Sequence, residues 1–244
     1  MAQYNNLERL VIFDADGTIV DAFHAIEMTF LRHGMDIGDL HRFQKRRKLL
    51  KYLGGLKEFP TNLRRQFGKQ SRKRLLATLT DVYRHEASLY PGMDALLRTL
   101  LAAPGVRVGL ITRNVTTDPE NTLKYLFQRH DIDTDRFDYF ACIPLRNDKS
   151  AVMKHARESF DINPARAYAC GDEYSDYLAA ISAGMHPFVA AYGFEDRMRL
   201  TKKFGVPDEV ISTSPEEFSG RLLHALDLST VERHTKLLEM QVSR

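Results

Sequence analysis

From Pro91 onward, short apolar runs alternate with longer segments whose apolar positions recur every three or four residues. The short runs are typical of buried strands, and the longer spacing is typical of amphipathic helices. Strands that alternate with helices predict a parallel sheet in an α/β fold. The predicted strands are 10–13, 107–112, 137–143, 166–170, 187–191 and 209–211, and the predicted helices are 93–103, 119–130, 150–160, 175–184 and 215–226.

Residues 21–89 interrupt this alternation. They contain no convincing strand, and their pattern predicts about four helices. The segment is also strongly basic, with fifteen Lys and Arg against seven Asp and Glu, whereas the rest of the chain has 20 against 25. A basic helical segment beside an acidic core favours an anionic substrate. For most charges of residues 42–48, however, a solvated helix face is the better interpretation.

Composition places the chain among ordinary globular proteins. Its 244 residues are 43% hydrophobic, which suffices for one α/β core with an insertion. The sequence has neither an apolar stretch of membrane-spanning length nor a signal-peptide pattern at its start. Cys142 and Cys170 lie in apolar strand-like runs, and we interpret them as reduced core residues. Together these features predict a cytoplasmic enzyme without a membrane partner.

Two carboxylates stand one residue apart at the end of the first apolar run. Asp14 and Asp16 follow this run, and Gly17 permits a sharp turn behind them. Ligands bind at the carboxyl ends of strands in open α/β sheets. Because two neighbouring acids repel each other and are costly to desolvate, the pair indicates a divalent cation. A polar turn that carries this pattern by chance stays an alternative. A calcium loop of the EF-hand type is excluded because its required ligands and glycine are replaced by Thr18, Ile19 and Ala25.

Four segments resemble, in order, the four motifs of the haloacid dehalogenase-like hydrolases. They are Asp14-x-Asp16-Gly17-Thr18, the apolar strand that ends at Thr112, Lys149 at a helix start, and Gly171-Asp172-x-x-x-Asp176 after a strand. The resemblance covers residues 7 to about 228. It implies a Rossmann-like parallel sheet core, residues 1–20 and 90–228, with an inserted all-helical cap, residues 21–89. Residues 229–244 are left as a C-terminal tail or short helix.

The resemblance also implies roles for the acids. Asp14 is the nucleophile that forms an aspartyl-phosphate, and Asp16 is the general acid and base. Mg²⁺ is the implied cofactor, with Asp14 and Asp172 as direct ligands and the backbone carbonyl of Asp16 as a further one. Asp176 would hold metal-bound water or orient its neighbours. Glu173 either contacts the site or faces solvent.

The same resemblance assigns phosphoryl contacts to Thr112 and Lys149. Family members commonly have Ser or Asn directly after the threonine, whereas here Arg113 intervenes before Asn114. Arg113 either binds a substrate anion or forms a surface salt bridge, and both residues are candidate substrate contacts. Lys149 is followed by Ser150 instead of the usual proline. Arg146 therefore competes with it for the role of the site cation.

The predicted function is a magnesium-dependent phosphatase of a small phosphorylated metabolite, similar to phosphoglycolate phosphatases. A dehalogenase is disfavoured because those members lack the second acid, which is Asp16 here. A phosphomutase, a phosphonatase that uses a cap lysine, and a non-catalytic binding module stay alternatives. No nucleic-acid partner is expected, and the oligomeric state is open between monomer and homodimer. Lys57, beside Gly54 and Gly55 in the cap, is a further candidate substrate contact.

Overall fold

The structure is a computed structural model that describes residue 4, residues 6–35 and residues 72–228. Its centre is a six-stranded parallel sheet with the order β3-β2-β1-β4-β5-β6. The strands are β1 Arg9–Phe13, β2 Val106–Thr112, β3 Tyr139–Cys142, β4 Ala167–Gly171, β5 His186–Ala190 and β6 Ile211–Ser212. The described α-helices are α1 Ala22–Arg32, α2 Arg72–His85, α3 Met93–Ala102, α4 Pro119–Arg129, α5 Lys149–Ser159, α6 Tyr174–Ser182 and α7 Pro215–Ala225.

Successive side chains of a strand point to opposite faces of the sheet, so a buried strand presents apolar side chains on both faces. Helices cover both of these faces. In β1, Val11 and Phe13 belong to one buried apolar cluster, which also contains side chains of α3, α4 and α7. Leu10 and Ile12 belong to a second cluster, formed with α5 and α6. The predicted α/β fold with a Rossmann-like parallel sheet is therefore confirmed.

The predicted elements agree with the structure to within a few residues, apart from the last strand. Residues 209–211 were expected to be extended, but Asp208–Val210 form a short 3₁₀ turn and β6 contains only Ile211 and Ser212. The amide N–H of Val210 donates to the carbonyl of Pro207 across this turn. Pro207 cannot donate to a sheet ladder, which favours the turn at this point.

The segment that enters the helical insertion, residues 19–21, lies beside the segment that leaves it, residues 88–90. The amide of Asp21 donates to the Ser88 carbonyl at 2.9 Å, and the amide of Tyr90 donates to the Ile19 carbonyl at 2.8 Å. Side chains of α1 and α2 belong to the same apolar cluster as β1. The two described helices of the insertion pack against each other, α2 also packs against α4, and both share an apolar cluster with the sheet. The predicted boundaries of core and cap stay a prediction, and most of the cap lies outside the described residues.

Both cysteines are free thiols within strands. Cys170 in β4 is buried as predicted, whereas Cys142 at the end of β3 is only half-buried. Burial, assisted by the nearby negative charge of Asp16, raises the pKa of Cys142 to about 12. A thiol with such a pKa is a poor nucleophile near neutral pH. Among the helices of the described ranges, none is both long and apolar enough to cross a bilayer.

Candidate active site

The carboxyl ends of three neighbouring strands bring the motif residues together. Asp14 follows β1, Thr112 ends β2, and Asp172 follows β4. The amide of Asp14 continues the β1–β4 pairing by donating to the Cys170 carbonyl at 2.8 Å. Because β1 lies between β2 and β4, residues distant in sequence reach one edge of the sheet. This is the edge where the sequence predicted the site.

Three carboxylates converge at this edge. One oxygen each from Asp14, Asp172 and Asp176 lies within 4.8 Å of the other two, and all three side chains are buried. Asp176 is in the first turn of α6, where its Oδ2 accepts the backbone N–H of Glu173 at 3.1 Å as part of a capping box. This bond orients the carboxylate, because capping fixes the side chain relative to the helix start.

Two glycines leave the space that Asp172 occupies. A Cβ on Gly17 or on Gly193 would overlap the Asp172 carboxylate, and Gly17 also has a φ of +80°. The amide of Phe194 donates to Asp172 Oδ2 at 2.5 Å, and the Thr18 hydroxyl donates to Oδ1 at 3.4 Å. The loop after β5 therefore completes the surroundings of this acid. Gly193 and Phe194 belong to no recognised motif, so nothing in the sequence marked them as part of the site.

Lys149 is the cation that reaches the carboxylates. Its Nζ lies 2.5 Å from Asp14 Oδ2 and 2.8 Å from Asp176 Oδ1, and the side chain is buried. It is the first residue of α5, whose N-cap is Asp148. Burial acts against the charged amine, but the two carboxylates outweigh it and raise the pKa of Lys149. Arg146, the competing candidate, is exposed.

Negative charge exceeds positive charge in this cluster. Burial, together with the charges of Asp176 and Asp14, holds the pKa of Asp172 well above its usual range. Burial also raises the pKa of Asp14, against the opposing effect of Lys149. For Asp176, Lys149 and Arg113 outweigh burial and lower the pKa. Lys149 does not neutralise three carboxylates, and Arg113, 3.7 Å from Asp176 Oδ1, is shared with Glu173. Buried unpaired charge is costly.

The donor set fits a hard divalent cation. Carboxylate oxygens are the ligands that Mg²⁺ prefers, and it is commonly bound by few protein carboxylates together with water. Asp172 fits this description best, because its pKa is raised by burial and neighbouring carboxylates and no cation of the described residues pairs with it. The three convergent carboxylates can therefore hold a metal ion, as the sequence predicted.

Asp16 lies in different surroundings from the other acids. Its Oδ1 accepts the Tyr83 hydroxyl at 2.8 Å and the Asn114 side-chain amide at 3.1 Å, and its Oδ2 accepts the same amide at 3.0 Å. Burial and the charge of Asp14 raise the pKa of Asp16 to about 7, although the bonds from Tyr83 and Asn114 act to lower it. An acid with this pKa can both give and take a proton near neutral pH.

The two residues after Thr112 face other protein groups. Asn114 Oδ1 accepts the backbone N–H and the hydroxyl of Thr116, which leaves its amide nitrogen for Asp16. Arg113 donates to the Ser175 hydroxyl at 2.9 Å and lies 3.5 Å from Glu173 Oε2. Of the alternatives left open for Arg113 and Glu173, the structure has an ion pair between them beside the site. The predicted substrate contacts of Arg113 and Asn114 stay predictions.

The hydroxyl of Thr112 is unusual because it is buried without a hydrogen-bond partner among the described residues. Leaving a buried hydroxyl unpaired costs free energy, so such a group calls for an explanation. Its place at the end of β2, beside the strand that carries Asp14, is suited to donation to a bound anion. Lys57 lies outside the described residues.

Comparison with known proteins identifies the family. The model for haloacid dehalogenase-like hydrolases matches residues 8–184, which is most of the chain. The chain belongs to this family. It is therefore a hydrolase by family membership, and the resemblance drawn from the four motifs is confirmed. Each of those motifs lies within the matched residues.

Individual relatives of the hydrolase family agree with this assignment. A phosphoglycolate phosphatase of Psychrobacter arcticus is 31% identical over 105 residues, which cover 43% of this chain and 44% of that protein, less than half of either. A haloacid dehalogenase-like hydrolase of Streptococcus pneumoniae shares the fold, with a TM-score of 0.58 and 21% identity over 89% of this chain and 100% of the other. A protein provisionally named a β-phosphoglucomutase, from Thermotoga maritima, has the same TM-score and identity, covering 88% and 99%.

Proposed function

We propose that this hydrolase is a magnesium-dependent phosphatase of small phosphorylated metabolites and acts through an aspartyl-phosphate at Asp14. The observation that carries the proposal is the convergence of Asp14, Asp172 and Asp176 with a single buried lysine. A phosphate monoester dianion repels an anionic nucleophile, so attack needs concentrated positive charge around the transferring group. A metal ion held by these acids, together with Lys149, provides that charge.

In the first half-reaction, a carboxylate oxygen of Asp14 attacks phosphorus as the bond from phosphorus to the ester oxygen breaks. Asp14 Oδ1 already accepts the Ala15 amide, and Oδ2 contacts Lys149, so both interactions orient the nucleophile. Protonated Asp16 donates its proton to the departing oxygen, which leaves as an alcohol. The pKa of about 7 for Asp16 makes the protonated form available near neutral pH.

In the second half-reaction, water attacks the phosphorus of the aspartyl-phosphate. Asp16, now a carboxylate, accepts the proton of that water, and the bond between phosphorus and Asp14 breaks to release phosphate. Two steps replace one difficult hydrolysis, which is the benefit of covalent catalysis. The Thr112 hydroxyl and Lys149 bind phosphoryl oxygens throughout, and this gives the unpaired hydroxyl a partner.

Asp14, Asp172 and Asp176 would hold Mg²⁺ together with the Asp16 backbone carbonyl. Once bound, the ion supplies positive charge to the phosphoryl oxygens. The substrate class is inferred from the basic cap and from the likeness to a phosphoglycolate phosphatase over part of the chain. Lys57 would meet a second anion of the substrate. The chain would act in the cytoplasm, as a monomer or a homodimer.

A panel of phosphate esters, assayed for inorganic phosphate with Mg²⁺ and with EDTA, tests the proposal. We expect phosphate release only with the metal, and faster release from a carboxylated alkyl phosphate than from an unsubstituted one. Transfer of phosphate to a second position of a sugar would indicate a phosphomutase instead. Tight binding of an ester without either product would indicate a binding module.

A further inference from the structure

A tyrosine from the helical insertion reaches the proposed acid of the core. Tyr83 lies near the end of α2, is 1% exposed, and donates its hydroxyl to Asp16 Oδ1 at 2.8 Å. We propose that Tyr83 is a positioning residue that fixes the Asp16 carboxyl so that Oδ2 exchanges the proton with the leaving group. The inference rests on the proposed function, because it assigns a task to Tyr83 in the same reaction.

The hydrogen bonds around Asp16 distinguish its two oxygens. Oδ1 accepts two donors, from Tyr83 and Asn114, whereas Oδ2 accepts one, from Asn114. The orientation of the Asn114 amide is fixed, because its own oxygen accepts the backbone N–H of Thr116 at 3.0 Å. Both oxygens face the donor-only Asn114 nitrogen, but a proton on Oδ1 would in addition force the Tyr83 phenol to reverse its hydroxyl. The proton of the acid form therefore belongs on Oδ2.

The segment that supplies Asn114 also anchors the helix that supplies Tyr83. The amide of Thr117 donates to the Thr80 hydroxyl at 3.0 Å, and Thr80 in turn lies one helical turn before Tyr83. Arg84 donates to the Asp118 carboxylate at 3.1 Å. These contacts join α2 to Thr117 and Asp118, which follow Asn114 closely in the chain. The two donors to Asp16 are consequently held relative to each other, and the acid is held between them.

This arrangement predicts that removal of the Tyr83 hydroxyl slows hydrolysis to an extent that depends on the leaving group. Without the phenol, Asp16 Oδ1 keeps one donor, and the carboxyl can turn about its bond to Cβ. Proton donation then becomes less efficient, while the nucleophile Asp14 is unchanged. An alkyl phosphate needs that proton because its leaving group is a strongly basic alkoxide. A p-nitrophenolate ion departs readily without one.

The test is Tyr83→Phe, assayed on an alkyl phosphate that the wild type hydrolyses and on p-nitrophenyl phosphate, both with Mg²⁺. The quantity compared is kcat/KM, because it covers only the steps up to departure of the leaving group. General acid catalysis contributes roughly 10²- to 10⁴-fold. We therefore expect the ratio of alkyl to aryl kcat/KM to fall by about tenfold or more. The ratio does not depend on the fraction of folded enzyme, since both substrates use the same preparation.

Tyr168→Phe is the matched control. It removes a hydroxyl that donates to the Ala225 carbonyl at 3.1 Å, at the start of β4 and away from the acids, and its ratio should equal that of the wild type. If Tyr83→Phe does not fold, Thr80→Val replaces it as the test of the positioning role. This variant removes the hydroxyl that accepts the Thr117 amide but keeps Tyr83. Its ratio should fall, and Thr80→Ser should restore it.

An unchanged ratio in Tyr83→Phe, or equal losses on both esters, would overturn the positioning role while leaving the phosphatase proposal intact. If the wild type releases phosphate from neither ester with Mg²⁺, the proposed function fails and this inference fails with it. The wild-type assay thus separates the two failures.

Discussion

Charged side chains are arranged differently at the amino ends and at the carboxyl ends of the strands of the sheet. At the amino ends of β1 to β3, Arg107 lies 2.8 Å from Glu8 and 3.0 Å from Asp138, and all three side chains are partly exposed. At the carboxyl ends, four aspartates are buried, and the one buried lysine that reaches them contacts only two. Charge is thus paired and solvated at one edge, and concentrated and desolvated at the other.

This difference separates stability from function. Partly exposed ion pairs contribute little to folding, typically no more than about 1 kcal/mol. Buried excess charge opposes folding, so a sequence that retains it gains something else from it. Substitutions at the carboxyl edge should therefore affect activity far more than stability, whereas substitutions at the amino edge should leave activity unchanged and cost only a little stability.

The largest effect is expected for Asp14→Asn. An amide cannot attack phosphorus, so kcat should fall by about 10⁵-fold or more, as it does when other enzymes lose their nucleophile. The melting temperature should change little, because the volume is kept and Lys149 retains Asp176. Phosphate release and thermal unfolding are measured together. Asp133→Asn, an exposed acid distant from the site, is the control and should keep full activity. Residual turnover above one hundredth of the wild type would contradict the role of Asp14.

A second effect concerns pH and Asp16. Its pKa is about 7 in the folded protein against 3.8 ordinarily, so the folded state binds the proton more tightly than the unfolded state. Stability from this group is complete below about pH 4 and is lost as pH rises towards 7, at up to about 1.4 kcal/mol per pH unit. In EDTA, the free energy of unfolding of the wild type should thus fall by about 4 kcal/mol relative to Asp16→Asn between pH 4 and 8. The free energies of unfolding are measured by urea titration at each pH. Parallel pH dependences in the two proteins would contradict the raised pKa of Asp16.

A third effect concerns the metal. Burial and neighbouring carboxylates raise the pKa of Asp172, so its charge costs stability above its usual pKa. Metal-free Asp172→Asn should therefore have a higher free energy of unfolding than the wild type at pH 8. Mg²⁺ should raise the melting temperature of the wild type, because it binds the folded state, and should affect the variant less. Equal shifts in both proteins would place the ion elsewhere.

The resemblance to the family singled out the motif residues, and their common location was predictable because each one adjoins an element with a clear pattern. Asp14, Thr112 and Asp172 follow apolar strands, and parallel strands deliver their carboxyl ends to one edge. Lys149 begins a helix that the periodicity identified. For these residues, position along the chain and position in the site are linked by the topology of the sheet, so the sequence contained the required information.

Other parts of the site were not predictable in this way. Tyr83 lies 67 residues from Asp16, and helical periodicity marks it only as a buried position. Whether its hydroxyl meets a partner depends on how α2 packs against residues 114–118. The backbone amide of Phe194 donates a hydrogen bond to Asp172, and such a contact does not depend on the type of residue. Asn114 was predicted as a candidate substrate contact, and that stays a prediction. The sequence did not indicate that its amide binds Asp16, because this contact depends on how Thr116 orients the amide.

The smallest effect is expected at the amino edge, where Arg107→Met removes a charge but keeps an apolar stem. Arg107 pairs with Glu8 and Asp138, and its guanidinium lies 4.7 Å from the centre of the Phe160 ring. The side chains are about a third exposed, so water and salt screen the pairs. We expect a loss of about 0.5 to 1 kcal/mol in the free energy of unfolding, smaller in 1 M NaCl, with unchanged kcat. A loss of activity with stability intact would show that the two edges are coupled and would break the contrast between them.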